Sequence, residues 1–270
     1  HYVAPSVWAW RPERAAKMSK YVDHVLALLP FEPPYMEAEG MTSDFVGHPV
    51  VSSPHVSKKA QERFKKKHNL HNGPIITVLP GSRIGEIKRM CPIFNKVLNN
   101  IEKLYPDSQF ILPVASSVEK DVVNAVKSWN VKPLLLLKEG KDLKELEHDK
   151  FITYSISSAA LATSGTVSLE LAAKKCPMIV AYKANWITTK MVKKLAKIDT
   201  ANLINIITDT KVIPEHLFEN CTVENITESL RSLLNNDNNQ IKAMEETMNR
   251  LGADRKDIHL LAANSVLNNI

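Results

Sequence analysis

The run Ala162-Thr163-Ser164-Gly165-Thr166-Val167-Ser168-Leu169-Glu170 has the residue types and spacing to hold an anion. An apolar stretch, Ala159 to Ala162, stops at a small-residue turn, and a helix-forming stretch from Leu169 to Lys175 begins at once. A strand, a tight turn and a helix N-terminus leave backbone N–H groups pointing outward without intrahelical acceptors. Gly165 lets a phosphate come close to that backbone, with Ser164 and Thr166 beside it as further donors. Glu170 stands about one turn into the helix, where it can accept hydrogen bonds from hydroxyls next to the phosphate. A plain N-cap at Thr166 competes with this reading, although Leu169, three residues on, is no capping-box partner.

A second corner has the same grammar. The apolar run Ile75 to Leu79 leads into Pro80-Gly81-Ser82-Arg83, and Glu86 follows near the start of the next helix. Gly81 permits close approach, Ser82 offers a hydroxyl, and Arg83 presents a planar fork suited to a diphosphate. Glu86 also suits a helix start with no role toward a ligand. Ligands of open parallel sheets lie at the carboxyl ends of the strands, so both corners are expected at one sheet edge.

The elements that must carry these corners alternate between short apolar runs and charged helical stretches, the pattern of parallel βα units. Strands are expected at His1 to Ala4, His24 to Leu29 and Asp44 to Gly47. Helices are expected at Arg11 to Lys20 and from Pro30 to about Glu39. The prolines at 49 and 54 mark His48 to Val56 as a linker. A second series follows, with strands at Ile75–Leu79, Gln109–Val114, Pro133–Leu137, Ala159–Ala162 and Met178–Tyr182. Its helices are Glu86–Leu104, Val118–Trp129 and a short one near Leu143–His148. Three helical stretches close the chain, at Val223–Leu234, Ile241–Leu251 and Arg255–Leu267. The fold class is therefore α/β with two Rossmann-like lobes, the first incomplete at its N-terminus: residues 1–56, residues 57–253, and a closing helix at 254–270.

Composition narrows the chemistry. The 270 residues are 44% hydrophobic, enough for a full core, and no apolar run approaches the ~20 residues of a bilayer span. Cys91, Cys176 and Cys221 are too far apart to suggest a disulfide framework or a zinc site, so a reducing, cytoplasmic setting is expected. No metal and no cofactor is expected. The net charge of +6 favours an anionic partner. Lys58, Lys59, Arg63, Lys65, Lys66 and Lys67 crowd one helix, and Lys190, Lys193, Lys194 and Lys197 another. In the second, Trp186, Ile187, Met191 and Leu195 recur at helical spacing, as in a basic amphipathic helix. Such a face is either solvated or drawn to anionic lipid. Nucleic acid is not expected, since aromatics make up 6% of residues and only Phe64 interleaves with the first lysine cluster.

Several phrases together resemble one family. They are Val3-Ala4-Pro5-Ser6-Val7-Trp8-Ala9-Trp10-Arg11, Leu28-Leu29-Pro30-Phe31-Glu32, Phe45-Val46-Gly47-His48-Pro49 and Leu79-Pro80-Gly81-Ser82-Arg83. Ser164-Gly165-Thr166 through Leu169-Glu170, Lys175-Cys176-Pro177-Met178-Ile179-Val180 and Leu203-Ile204-Asn205 complete the set. In combination they resemble bacterial lipid-A-disaccharide synthase, a glycosyltransferase with two facing Rossmann-like lobes (GT-B type).

The resemblance implies transfer of 2,3-diacylglucosamine from UDP-2,3-diacylglucosamine to 2,3-diacylglucosamine 1-phosphate at the cytoplasmic face of the inner membrane, with peripheral attachment. It implies that Ser82 and Arg83 meet the diphosphate, that Ser164, Gly165 and Thr166 donate to it, and that Glu170 holds the ribose. Fixed charge and dipoles would then stand in for a divalent metal. It carries over Glu86, places Asn205 on a loop near substrate, and sets Trp8, Trp10 and Arg11 on the acceptor side of the cleft. Two tryptophans simply covering a core are the alternative there. The catalytic base is implied upstream of His1, so the segment is expected to bind UDP without turnover; His48 is as well explained by a hinge. The chain departs from the family pattern at Ile204, where proline is usual, and at Phe218, where glutamine is. A UDP-N-acetylglucosamine 2-epimerase-like enzyme shares the small-residue turn and is the competing enzymatic reading. A non-catalytic basic lipid-binding module is the other.

Overall fold

The computed structural model describes every residue except 139, 141, 185–199, 236–238, 256 and 270. The basic stretch containing Trp186 and Lys190 to Lys197 lies outside the described residues. Two compact units emerge, one built on His1–Ser53 with Glu246–Ile270, the other on Pro54–Asn185 with Thr200–Glu245.

The second unit holds a parallel sheet. Its strands are β3 (Ile75–Leu79), β4 (Gln109–Pro113), β5 (Leu134–Leu136), β6 (Ala159–Thr163), β7 (Met178–Tyr182) and β8 (Glu215–Leu217). β1 (His24–Ala27) and β2 (Thr42–Phe45) belong to the first unit. Within the large sheet the order is β5-β4-β3-β6-β7-β8. The chain thus builds outward from β3 to one edge and then returns to β3's other side with β6. That reversal opens a crevice at the carboxyl ends of β3 and β6, the place where doubly wound sheets take their ligands. All five residues of β3 and all five of β6 are buried, as expected for strands covered on both faces.

Helices cover the sheet because their apolar residues recur every three or four positions. In α4 (Ile84–Leu104), Ile87, Met90, Cys91, Phe94, Val97, Leu98 and Ile101 are buried together against Ile76, Val78 and Phe110. The basic helix α3 (Lys58–Lys67) buries only Phe64, so its lysines form a solvated face. Ser57 caps its N-terminus through Ala60 N–H at 3.2 Å, and Lys65 to Lys67 sit at the end where the helix dipole favours cations. The remaining helices of this unit are α5 (Glu119–Lys127), α6 (Leu143–Ile156), α7 (Val167–Ala173), α8 (Leu203–Thr208) and α9 (Val223–Leu234); α10 (Gln240–Arg250) spans the boundary between the units. Cys91, Cys176 and Cys221 are buried free thiols. Burial pushes each of them up, Cys91 to about 12, which makes them poor nucleophiles.

In the first unit, β1 pairs in parallel with β2, and α1 (Glu13–Met18) and α2 (Pro33–Glu37) flank them. The expected strand at His1 to Ala4 shrinks to a single bridge between Tyr2 and Leu26. Val3 has a left-handed φ of 80°, and Pro5 has no N–H to continue a ladder, which explains the early stop. The His48 to Val56 linker contains a 3-10 turn at Pro49–Ser52, capped by His48 Nδ1 accepting from Val50 N–H at 3.1 Å. His48 therefore acts as a structural cap, and burial lowers its pKa.

The closing helix α11 (Ile258–Leu267) is tied to this small sheet by side chains. Ser265 Oγ donates to Asp44 Oδ2 at 2.6 Å and lies 2.9 Å from His24 Nε2, while His24 Nδ1 is 2.8 Å from Thr42 Oγ1. The residue types are those of a hydrolase triad, but the aspartate accepts from the serine and does not orient the imidazole, so the group is a clip. Ser265→Ala should cost about 1 kcal/mol and speed hydrogen exchange within α11 first. Exchange unchanged in α11 relative to the parent would show that the clip does not hold it.

Candidate functional site

The crevice at the strand-order reversal contains a cavity of about 670 Å³, lined among others by Gly81, Ser82, Arg83, Glu86, Ser164, Gly165, Thr166 and Glu170. Both corners singled out in the sequence thus open on one cavity. Its remaining wall comes from the β4 carboxyl end, through Pro113 to Ser116, and from α6, through Leu143, Leu146, Glu147, Lys150 and Tyr154.

The β3–α4 corner is braced by Glu86. Its Oε2 accepts from Ser82 N–H at 3.0 Å and from Arg83 N–H at 3.3 Å, and its Oε1 accepts from Arg83 Nη1 at 2.9 Å. Gly81, at φ +117°, is what lets the carboxylate in: a Cβ there would meet Glu86 Oε2 at 2.4 Å. The loop N–H groups of Ser82 and Arg83 are therefore committed to Glu86, and what the corner offers a ligand is side chains. Beyond its one bond to Glu86 the Arg83 guanidinium still has donors to offer, with 80% of its side chain exposed against 8% for Glu86.

The β6–α7 corner is more open. Thr163 is buried at the end of β6, and Ser164, Gly165 and Thr166 form the turn into α7. Thr166 makes no side-chain cap, and the space where a Gly165 side chain would stand is empty to 4 Å. Ser168 Oγ turns back to donate to Gly165 O at 2.9 Å, which steadies the turn.

Glu170, in the first turn of α7, is held by α6. Lys150 Nζ donates to its Oε1 at 3.0 Å, and Tyr154 Oη to its Oε2 at 3.5 Å. Tyr154 is 1% exposed, and its pKa is raised well above the usual value by burial first and by the Glu170 carboxylate second. The phenol stays protonated and donates. The cations of the cavity are thus each paired with a carboxylate, Arg83 with Glu86 and Lys150 with Glu170.

Asn205 does not join this cavity. The expected loop is the helix α8, with Asn202 Oδ1 capping it at Ile204 N–H, and Asn205 is 1% exposed. Its amide donates to Ile213 O at 2.9 Å and to Glu215 Oε2 at 3.1 Å, and its Oδ1 accepts from Ile213 N–H at 3.0 Å. Asn205 pins the segment leading into β8. Ile204 beside it is fully buried, and Phe218, just after β8, has a left-handed φ of 55°. Neither lines the cavity. In the first unit, Trp8 Nε1 donates to the buried Glu32 at 3.2 Å and its ring meets Phe31 edge-on at 5.1 Å. Arg11 stacks over Trp10 at 4.2 Å.

A family model described as lipid-A-disaccharide synthetase matches residues 1–267. The chain is 44% identical over 270 residues to the lipid-A-disaccharide synthase of Ruegeria pomeroyi, covering 100% of this chain and 67% of that one. With the same enzyme of Rhodospirillum centenum it shares 40% over 272 residues, covering 99% and 66%. The chain belongs to the lipid-A-disaccharide synthase family. It spans about two thirds of the length of these curated relatives.

Solved structures show the fold. The UDP-GlcNAc 2-epimerase of Neisseria meningitidis, bound to UDP-GlcNAc, superposes with a TM-score of 0.59 at 13% identity, over 91% of this chain and 62% of that one. WaaG, a glycosyltransferase involved in lipopolysaccharide biosynthesis, gives 0.54 at 14% identity, over 90% and 62%. Both lobes therefore fit a GT-B-like, Rossmann-type α/β architecture. The likeness to the epimerase is one of fold, while sequence places the chain with the lipid-A-disaccharide synthases, which decides between the two enzymatic readings.

Proposed function

We propose that the cavity at the strand-order reversal binds the UDP moiety of UDP-2,3-diacylglucosamine. The protein to which this chain belongs would transfer the sugar to 2,3-diacylglucosamine 1-phosphate, giving the disaccharide 1-phosphate and UDP. One observation carries the reading: Ser82, Arg83, Ser164, Gly165, Thr166 and Glu170, from two corners far apart in sequence, line a single cavity at the carboxyl ends of β3 and β6.

In the reaction an acceptor hydroxyl oxygen bonds to the anomeric carbon, the bond from that carbon to the phosphate oxygen breaks, and UDP leaves with the electron pair. A base takes the hydroxyl proton. Charge grows on the diphosphate, so groups that meet it there lower the barrier. On this reading the Arg83 fork and the donors of the β6–α7 turn supply those groups. Glu86 keeps the β3–α4 loop in shape for Arg83 to reach out. Glu170 accepts from the ribose hydroxyls and fixes the nucleoside end. Because both substrates carry acyl chains, the enzyme works at the cytoplasmic face of the inner membrane as a peripheral protein. Among the described residues no helix is long and apolar enough to cross a membrane.

Calorimetry with UDP, with and without magnesium, tests the site. Binding without magnesium is expected, because Arg83 and backbone dipoles supply the positive potential. Glu170→Gln should weaken UDP by roughly three- to tenfold, because the amide keeps an acceptor oxygen but loses the charge that strengthens its hydrogen bonds, with the melting temperature near the parent's. A parent that ignores UDP, or a Glu170→Gln variant that binds it unchanged, would move the nucleotide site elsewhere.

A further inference from the structure

We propose that Lys150 and Tyr154 of α6 are positioning residues for Glu170, and through it set the cavity's preference for a nucleotide carrying both ribose hydroxyls. This rests on the reading that the cavity takes UDP. Glu170 projects from α7, whereas both partners come from a different helix, α6. Lys150 Nζ occupies one position on Oε1 at 3.0 Å and Tyr154 Oη approaches Oε2 at 3.5 Å, so each carboxylate oxygen has one partner from α6. An ionised carboxylate has about four acceptor positions, which leaves one on each oxygen for a diol.

The two partners contribute differently. Tyr154 is buried, so its hydroxyl is a fixed point against which the carboxylate plane is set. Lys150 and Glu170 are both part-exposed, with side chains 25% and 32% accessible, and both line the cavity. The ammonium also sits 4.9 Å from the centroid of the Phe151 ring, which restricts its stem. Lys150 has a second effect. A carboxylate in the same cavity as a diphosphate repels it, and a cation bonded to that carboxylate offsets the repulsion. Glu170 can then serve the ribose without penalising the phosphates.

The measurement is the ratio of affinities for UDP and 2′-deoxyuridine diphosphate, by calorimetry, in the parent, Lys150→Met, Lys150→Arg, Tyr154→Phe and Glu170→Gln. Lys150→Met should reduce the preference for UDP by roughly three- to tenfold and Tyr154→Phe by about twofold, with Lys150→Arg restoring most of it. In a Glu170→Gln background, adding Lys150→Met should leave the ratio unmoved, since there is no carboxylate to orient. Melting temperatures within a few degrees of the parent separate these effects from unfolding. A ratio unchanged in Lys150→Met would overturn the proposal, whether or not both affinities fall together, because Lys150 would then have no effect on the ribose. A parent that binds neither nucleotide, or both equally, fails one step earlier and refutes the ribose reading of Glu170 itself.

Discussion

Arg83→Lys is expected to weaken UDP binding by roughly ten- to a hundredfold while leaving the fold intact. The charge is kept, so the loss measures geometry. A guanidinium gives two parallel N–H donors to a phosphate, whereas an ammonium gives a point charge on a flexible stem. Losing one charge-assisted hydrogen bond costs about 1.5–3 kcal/mol. The fold should be indifferent because the Arg83 side chain is 80% exposed, and the buried Glu86 is held by backbone N–H groups that the substitution leaves in place. Ser82 and Arg83 N–H remain bonded to Glu86 in the variant, so the loop keeps its shape. Thermal melting and UDP calorimetry on the same samples check both halves. Parent-like affinity in Arg83→Lys would mean that charge alone, or another residue, meets the diphosphate.

Much of this site was legible in the sequence because a doubly wound sheet brings its strand ends together. Leu79-Pro80-Gly81-Ser82-Arg83 and Ser164-Gly165-Thr166 each follow a mostly apolar, fully buried strand, and parallel topology forces both turns to one edge. What escaped was the wall that no loop marks. Lys150 and Tyr154 lie in the part of α6 beyond His148, where Phe151, Ile152, Thr153 and Tyr154 are aromatic or β-branched and disguise a helix. The signal was present in Leu143, Leu146, Lys150 and Tyr154, which recur at three- and four-residue steps and share the cavity face. Asn205 went the other way. A short helix capped by Asn202 and a three-residue strand at Glu215–Leu217 are too brief to leave a period, so an asparagine that pins them passed for a loop residue. His1 to Ala4 failed as a strand for a local reason, the left-handed Val3, which apolar composition does not reveal.

Gly81→Ala and Gly165→Ala should have opposite consequences, although both glycines sit in cavity turns. At Gly81 the backbone has a φ of +117°, and the new Cβ would meet Glu86 Oε2 at 2.4 Å and Glu86 Cβ at 2.6 Å. Backbone strain of this kind costs on the order of 1–3 kcal/mol. Moving Glu86 away would also strip the acceptor from Ser82 and Arg83 N–H. A melting temperature lower by roughly 5–10 °C follows, at about 2–4 °C per kcal/mol for a chain near this size. Gly165 has no left-handed φ, and nothing stands within 4 Å of its added Cβ. Gly165→Ala should therefore melt within about 2 °C of the parent, in line with an unstrained surface change. Its methyl would occupy space at the β6–α7 turn that a phosphate needs, and crowding there should cost about 1–3 kcal/mol of UDP affinity, or roughly five- to a hundredfold. Differential scanning calorimetry and UDP titration read the two effects independently. A Gly165→Ala variant that binds UDP as the parent does would mean that no ligand atom approaches this turn. The phosphate site would then rest on the Arg83 side of the cavity alone.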